Sequence, residues 1–191
     1  MTNVRISVLE HVLSYLIKLV SLPLKIGSSN PQEIEFKTAL SIVPYFYGYN
    51  KQTVSALFKQ SWVETGNFKS LLFVEFNNAF GMKVPSKRRS LRNGEYDVVV
   101  KGTFSTYSNL TFGLIDRILL DKYNKVQTNT SFDSYLDQVI NQFNYLPLDE
   151  RANYFENIYE NAPVFNFFFK AFVSALFTLF GLYYITNRLF N

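Results

Sequence analysis

Residues 62–83 of the chain read WVETGNFKSLLFVEFNNAFGMK. Upstream of Glu64, apolar residues recur at helical spacing from Thr53, which we predict as the N-cap of a helix, and Gly66 is a natural stop signal. Further along, residues 77–81 read Asn-Asn-Ala-Phe-Gly, a composition typical of a turn. The sequence therefore predicts a carboxylate at the end of an amphipathic helix, followed by a turn rich in amide groups.

Beyond this turn the pattern changes from helical to alternating and back. Residues 79–105 lose the helical period, Tyr96 and Val98 alternate with polar side chains, and Asn93-Gly94 predicts a hairpin turn. Helical spacing returns in residues 109–123. Further helices are predicted around residues 131–144 and 149–160. The predicted fold class is mainly α with a small β-hairpin lobe, which is an α+β arrangement.

Both ends of the chain are apolar. Residues 4–26 contain charges such as Glu10 and Lys18, which argue against a membrane span. They predict an amphipathic helix that lies on a membrane or a partner, or one that packs on the domain's own core, and the sequence leaves both open. Residues 164–185 carry one charge, Lys170, and are long enough to cross the hydrocarbon of a bilayer as a helix. They predict a C-terminal transmembrane helix.

Composition limits the chemistry. The chain has 191 residues, no cysteine and one histidine, so thiolate sites, a His-based metal centre and a Ser-His triad have little support. We expect no metal and no cofactor. The net charge of +4 does not indicate nucleic-acid binding. Residues 87–92 include a basic run that predicts either a contact with anionic polymers or headgroups, or simply a solvated loop.

The motifs around Glu64 resemble those of the glucosaminidase family of peptidoglycan hydrolases, glycoside hydrolase family 73. That family's pattern is a Glu-Ser/Thr-Gly segment, an Asn-Asn-Leu-Phe-Gly-Ile/Met-Lys segment and an aromatic-x-Tyr-x-Ser/Asn segment. Residues 64–66, 77–83 and 104–109 are similar to these in the same order. The resemblance covers about residues 50–160 and implies a lysozyme-like domain. Domain boundaries follow, with an N-terminal helix and linker at 1–30, the glucosaminidase-like domain at 31–161 and an anchor at 162–191.

The resemblance implies catalytic roles. Glu64 would be the general acid, and the helix end and apolar neighbours such as Trp62 predict a raised pKa for it. Tyr107 matches a tyrosine that lies close to the acid in the family. Glu95 and Asp97, in the hairpin lobe, are the available positions for a second carboxylate acting through water. Alternatively, the acetamido group of the substrate takes part, and then no second carboxylate is needed.

The resemblance also implies binding roles. Asn77 and Asn78 would offer amide groups to the acetamido and hydroxyl groups of the sugar. Phe80 would pack the turn below Glu64, and we include it with Trp62 among the predicted substrate-binding residues. Alternatively, either Asn forms the turn without contacting a ligand.

The sequence thus predicts an enzyme that cleaves the glycan strand of peptidoglycan, with β-N-acetylglucosaminidase activity preferred over muramidase or lytic transglycosylase activity. A C-terminal anchor without a signal peptide favours a bacteriophage enzyme, membrane-associated in the virion and used in host entry, with other virion proteins as further partners. An endolysin and a non-catalytic virion membrane protein are the alternatives.

Overall fold

A computed structural model describes residues 7–86, 88–99, 101–142 and 148–165. The helices are α1 (Val8–Lys25), α2 (Pro31–Leu40), a 3₁₀ helix (Val43–Tyr47), α3 (Lys51–Glu64), α4 (Leu71–Val74), α5 (Leu110–Tyr123), α6 (Phe132–Asp137) and α7 (Leu148–Glu156). The last two continue as π-helical turns, Gln138–Gln142 and Asn157–Asn161. The predicted membrane span, residues 164–185, lies outside the described residues except for Val164 and Phe165. Phe165 is buried in the core of the domain and stacks on Phe58 with ring centroids 4.8 Å apart, so the predicted start of the span is wrong for this residue. No helix in the described ranges is long and apolar enough to cross a membrane.

A small antiparallel hairpin interrupts the helices. Strand β1 (Gly94–Val98) pairs with β2 (Gly102–Thr106) in a register that sets Gly94 opposite Thr106 and Val98 opposite Gly102. The predicted turn at Asn93-Gly94 was wrong, because Gly94 is itself a strand residue paired with Thr106, and the chain connects the two strands between Val98 and Gly102. A Cβ at Gly94 would lie 2.7 Å from the Thr106 hydroxyl oxygen, so glycine serves cross-strand packing here. The predicted combination of mainly helical structure with one small hairpin is confirmed.

Helix α3, which ends at Glu64, begins earlier than predicted. Its N-cap is Asn50, whose side chain accepts from the Thr53 backbone N–H at 2.9 Å, while the Thr53 hydroxyl accepts from the Asn50 N–H at 3.1 Å. This reciprocal pair is a capping box, so Thr53 is its third helical residue and not the cap. The helix predicted from residue 109 is confirmed as α5, and Asn109 is its N-cap.

The N-terminal helix packs on the core of the same domain. One face of α1, formed by Leu13, Ile17 and Val20, is buried, and the helix contacts both α2 and α5. Of the two readings that the sequence left open, the structure therefore supports packing on the domain's own core for this inner face. Its outer face remains exposed.

The core of the molecule is rich in phenylalanine rings, and α5 contributes both apolar and charged side chains to it. Phe36 of α2 lies 5.8–5.9 Å, centroid to centroid, from three other phenylalanine rings, namely Phe68, Phe73 and Phe80. Helix α5 buries charged residues together with its apolar face. They are Asp116, Arg117 and Asp121. Hydrophobic periodicity alone could not predict this, because ion pairs and hydrogen bonds offset the cost of burying these groups.

Candidate catalytic site around Glu64

Glu64 is the last residue of α3, and its side chain is half-buried. The hydroxyl of Tyr154, on α7, donates a hydrogen bond of 2.8 Å to Glu64 Oε1. Tyr154 is itself buried, so its ring is fixed by packing while its hydroxyl reaches the carboxyl group. The carboxyl group is thus positioned by a residue that is distant in sequence, and it retains contact with solvent.

The chain after Glu64 makes a strained left-handed turn. Gly66, Asn67 and Phe68 have φ values of +54°, +61° and +59°. For residues with a side chain this region costs about 1–3 kcal/mol each. The turn is held because the Thr65 hydroxyl accepts from the Phe68 N–H at 2.9 Å and because the Phe68 ring is buried in the aromatic core. Strain of this kind is concentrated at functional sites, and here it directly follows the candidate acid.

The turn at residues 77–81 approaches Glu64 at Gly81. A Cβ built on Gly81 would lie 3.1 Å from Glu64 Oε2, and the φ of Gly81 is +56°. A side chain at this position would crowd the carboxylate and would also strain the backbone. Glycine therefore allows the turn at residues 77–81 to approach the carboxyl group, so the structure brings the first two motifs together.

Asn78 holds this turn to the hairpin. Its side-chain amide donates to the carbonyls of Met82 and Ser105, both at 2.9 Å, and its Oδ1 accepts from the Met82 N–H at 2.8 Å. The residue is buried, and these bonds occupy both amide protons. The structure thus gives Asn78 the turn-forming role that was the alternative to the predicted sugar contact.

Asn77 links this turn to the segment at residues 104–109, which contains Tyr107. Its side chain donates to the Tyr107 carbonyl at 2.9 Å, and the Tyr107 N–H donates to the carbonyl of Phe76 at 3.0 Å. Asn77 has a φ of +54° and is half-buried, so part of its surface faces solvent. These bonds place the segment around Tyr107 beside the Asn-Asn turn, as the order of motifs predicts.

Gly113 lets α5 approach the same turn. A Cβ there would lie 2.4 Å from the carbonyl oxygen of Asn77, which is closer than atoms can pack. Glycine to alanine in a helix interior ordinarily stabilises by about 1 kcal/mol, whereas overpacking costs about 1–3 kcal/mol. We expect Gly113→Ala to lower the free energy of unfolding, measured by urea denaturation. An increase would show that the turn and α5 do not touch.

The hydroxyl of Tyr107 is directed to Asp116 and not to the acid. It donates at 2.7 Å to Asp116 Oδ2, in a buried environment. Burial, and after it the charge of Asp116, raises the pKa of Tyr107 well above its ordinary value. Asp116 also receives a bidentate pair from Arg88, at 3.0 and 2.9 Å. Tyr107 therefore remains a protonated donor in a structural cluster, which differs from its predicted catalytic role beside Glu64.

The two predicted partner carboxylates lie on the exposed face of β1. Glu95 pairs with Arg92, and Asp97 accepts from the Thr103 hydroxyl at 2.6 Å. Each is engaged within the hairpin or the residues that precede it. The structure therefore brings neither of them into the hydrogen-bonded group of Glu64 and Tyr154.

The two aromatic residues that were predicted to bind substrate, Phe80 and Trp62, both pack against the hydrophobic core. Phe80 is buried among the core rings, which fits its predicted packing of the turn but leaves it no sugar-facing surface. Trp62 is half-buried and packs against the same core from α3. Of these two aromatic residues, Trp62 is the one with exposed surface, which it shares with Asn77 among the predicted substrate-binding residues.

The basic run is not a free cationic patch within the described residues. Arg88 pairs with Asp116, Arg89 with Glu10 of α1 and Arg92 with Glu95. Lys87 lies outside the described residues. Arg88 and Arg89 therefore fasten the loop before β1 to α5 and α1, whereas Arg92 pairs with Glu95 of β1.

Tyr154 is the site residue that pattern analysis did not single out for a role. It stands 90 residues from Glu64 in the sequence, and no local pattern links the two residues. Asp116 was missed as well, although a carboxylate within an apolar helical segment is a signal of a buried pair.

A carboxyl group that is carried by a half-buried residue and bound by a tyrosine hydroxyl is suited to proton transfer. In the described part of the chain, no group of His, Asp and Glu side chains is arranged to hold a metal ion. No protein-family model, curated protein or solved structure matches the chain.

Proposed function

We propose that the protein is a peptidoglycan hydrolase with a lysozyme-like site, in which Glu64 is the general acid that protonates the leaving oxygen of a glycosidic bond. The observation that carries the proposal is the approach of Gly81 and Tyr154 to the two oxygens of the Glu64 carboxyl group. Two motifs that are separate in the sequence thus meet at one half-buried acid, as a glycosidase of this kind requires.

The proposed mechanism does not rely on a second carboxylate of the protein. Glu95 and Asp97 are engaged elsewhere in the hairpin. An inverting mechanism needs a second carboxylate that acts as a base through water. Because Glu95 is paired with Arg92 and Asp97 accepts from Thr103, we favour participation of the substrate's own acetamido group instead. The same observation favours lytic transglycosylase activity as the second candidate, because the acid that protonates the leaving group can then also act as the base.

The substrate is the glycan strand of the bacterial wall, and the membrane anchor is proposed in residues 166–185, since Phe165 packs in the core of the domain. Within this proposal the protein is a bacteriophage virion enzyme that opens the wall during host entry, bound to a membrane and to other virion proteins. A non-catalytic wall-binding protein of the virion is the contrasting role.

Zymography of the renatured full chain on a gel that contains cell walls tests the proposal. We expect a cleared band at the position of the full chain. A gel without clearing, for a chain shown by circular dichroism to have refolded, would support the non-catalytic role.

The released muropeptides identify the bond and the mechanism. A reducing glucosamine end, measured by mass spectrometry, indicates a glucosaminidase, and a reducing muramic acid end indicates a muramidase. Anhydro ends indicate a transglycosylase, because the sugar hydroxyl has then replaced water.

A further inference from the structure

The outer face of α1 is apolar, although the helix already buries its inner face. We call Val8, Val12, Tyr15, Leu22 and Ile26 the outer stripe, because helical spacing places them on one side. Val8 is 80% exposed, Tyr15 63% and Leu22 62%. The helix has 18 residues, so the stripe is about 27 Å long. A continuous exposed apolar surface of this kind marks an interaction site.

The charges of α1 are arranged to leave this stripe without an acid. Glu10 points inward, where it pairs with Arg89 at 2.7 Å and completes the capping box with Ser7. Lys25 also turns away, and pairs with Glu35 of α2. The exposed polar residues within α1 are His11 and Lys18, neither of which is acidic.

Exposed aromatic side chains lie next to α1. The 3₁₀ helix at Val43–Tyr47 presents Tyr45 and Phe46 to solvent. It contacts α2 and α5, the two helices on which α1 also packs. Aromatic rings are enriched where proteins meet the headgroup region of a bilayer.

We propose that the outer stripe lies on the surface of a lipid bilayer that contains anionic headgroups. An exposed helix face that is apolar, has Lys18 as its exposed cation and carries no carboxylate has the composition of an interfacial helix. The same chain gives a reason to choose a bilayer as the partner of this face, since its residues 171–185 contain no charged side chain, as a membrane anchor requires. This inference rests on the proposed membrane anchor and is independent of the catalytic role of Glu64. It gives the domain a second membrane contact, which fixes its orientation.

Single-cysteine labelling tests the contact, because the natural chain has no cysteine. The full-length variants Val12→Cys and Leu22→Cys carry an environment-sensitive fluorophore on the outer stripe. The controls carry it at two exposed positions away from the stripe, Tyr123→Cys at the end of α5 and Gln127→Cys shortly after it. Each protein is mixed with vesicles of phosphatidylcholine and phosphatidylglycerol, recovered by flotation and titrated with iodide. We expect a several-fold loss of iodide quenching at the two stripe positions and none at the two controls.

Three outcomes would overturn the proposal. In the first, the protein floats with the vesicles but the labels on the stripe stay as accessible to iodide as the controls. In the second, the protein does not float. In the third, the labels on the stripe are protected without vesicles, to a degree that depends on protein concentration. The last outcome would assign the stripe to a second copy of the chain. Lys18→Glu should reduce the protection on anionic vesicles more than on neutral ones. Wall lysis, assayed without lipid, is unaffected by any of these outcomes, so failure here is distinguishable from failure of the hydrolase assignment.

Discussion

Glu64→Gln is expected to lower wall lysis by about 10²–10⁴-fold, because the amide cannot donate the proton that the leaving sugar oxygen needs. Glutamine has the same shape, and the oxygen at its end can still accept the Tyr154 hydrogen bond, which is 2.8 Å in the native protein. The fold should therefore be kept. Release of soluble muropeptides from purified walls measures the rate, and circular dichroism and urea unfolding check the structure.

Two further variants make the result specific. Glu75→Gln removes an exposed carboxylate just after α4 and should leave lysis unchanged. Tyr154→Phe keeps the ring and removes only the hydrogen bond to Glu64, so lysis should fall by less than in Glu64→Gln. Full lysis by Glu64→Gln would overturn the assignment of the acid, and equal loss in Glu75→Gln would show that the assay reports surface charge.

The sequence predicted the parts of this site that depend on local chemistry. A helix ending next to Gly66, a turn at residues 77–81 and a helix from residue 109 all follow from caps and turn residues within a few positions. The hairpin was predicted but its turn was misplaced. Asn93-Gly94 carries a turn signal, yet the cross-strand packing of Gly94 against Thr106 decides the register.

What the sequence could not predict depends on contacts between distant residues. Tyr154 meets Glu64 across most of the domain, and Tyr107 turns its hydroxyl to Asp116 through the geometry of α5. The sequence of residues 87–92 also reads as a solvated basic run. Its described arginines are instead paired with three carboxylates, one of them on α1, and no local pattern contains that information.

Asp121→Ala is expected to lower the free energy of unfolding by about 3–5 kcal/mol, because it leaves the Arg117 charge buried without its partner. Arg117 and Asp121 are 1% exposed each. The other carboxylate oxygen of Asp121 accepts from the hydroxyls of Tyr49 and Tyr135, each at 2.6 Å. Burial raises the pKa of both tyrosines, so both remain donors that would lose their acceptor. Urea denaturation measures the loss.

The exposed pair Arg92–Glu95 provides the matched control. It is also formed within one short segment, but its side chains are 29% and 49% exposed. Surface pairs contribute about 0–1 kcal/mol, so Glu95→Ala should change stability little. Similar losses in both variants would show that burial does not determine the strength of these pairs.

A double variant separates the buried charge from the packing. Arg117→Met together with Asp121→Leu removes both charges and keeps apolar volume, so its stability should lie above that of Asp121→Ala. The Arg117 guanidinium also lies 5.8 Å from the centroid of Phe80, the residue before Gly81. Loss of its partner should therefore loosen the turn that contacts Glu64, and lysis by Asp121→Ala should fall at temperatures where the protein is still folded. Undiminished lysis there would show that the buried pair supports the fold without supporting the site.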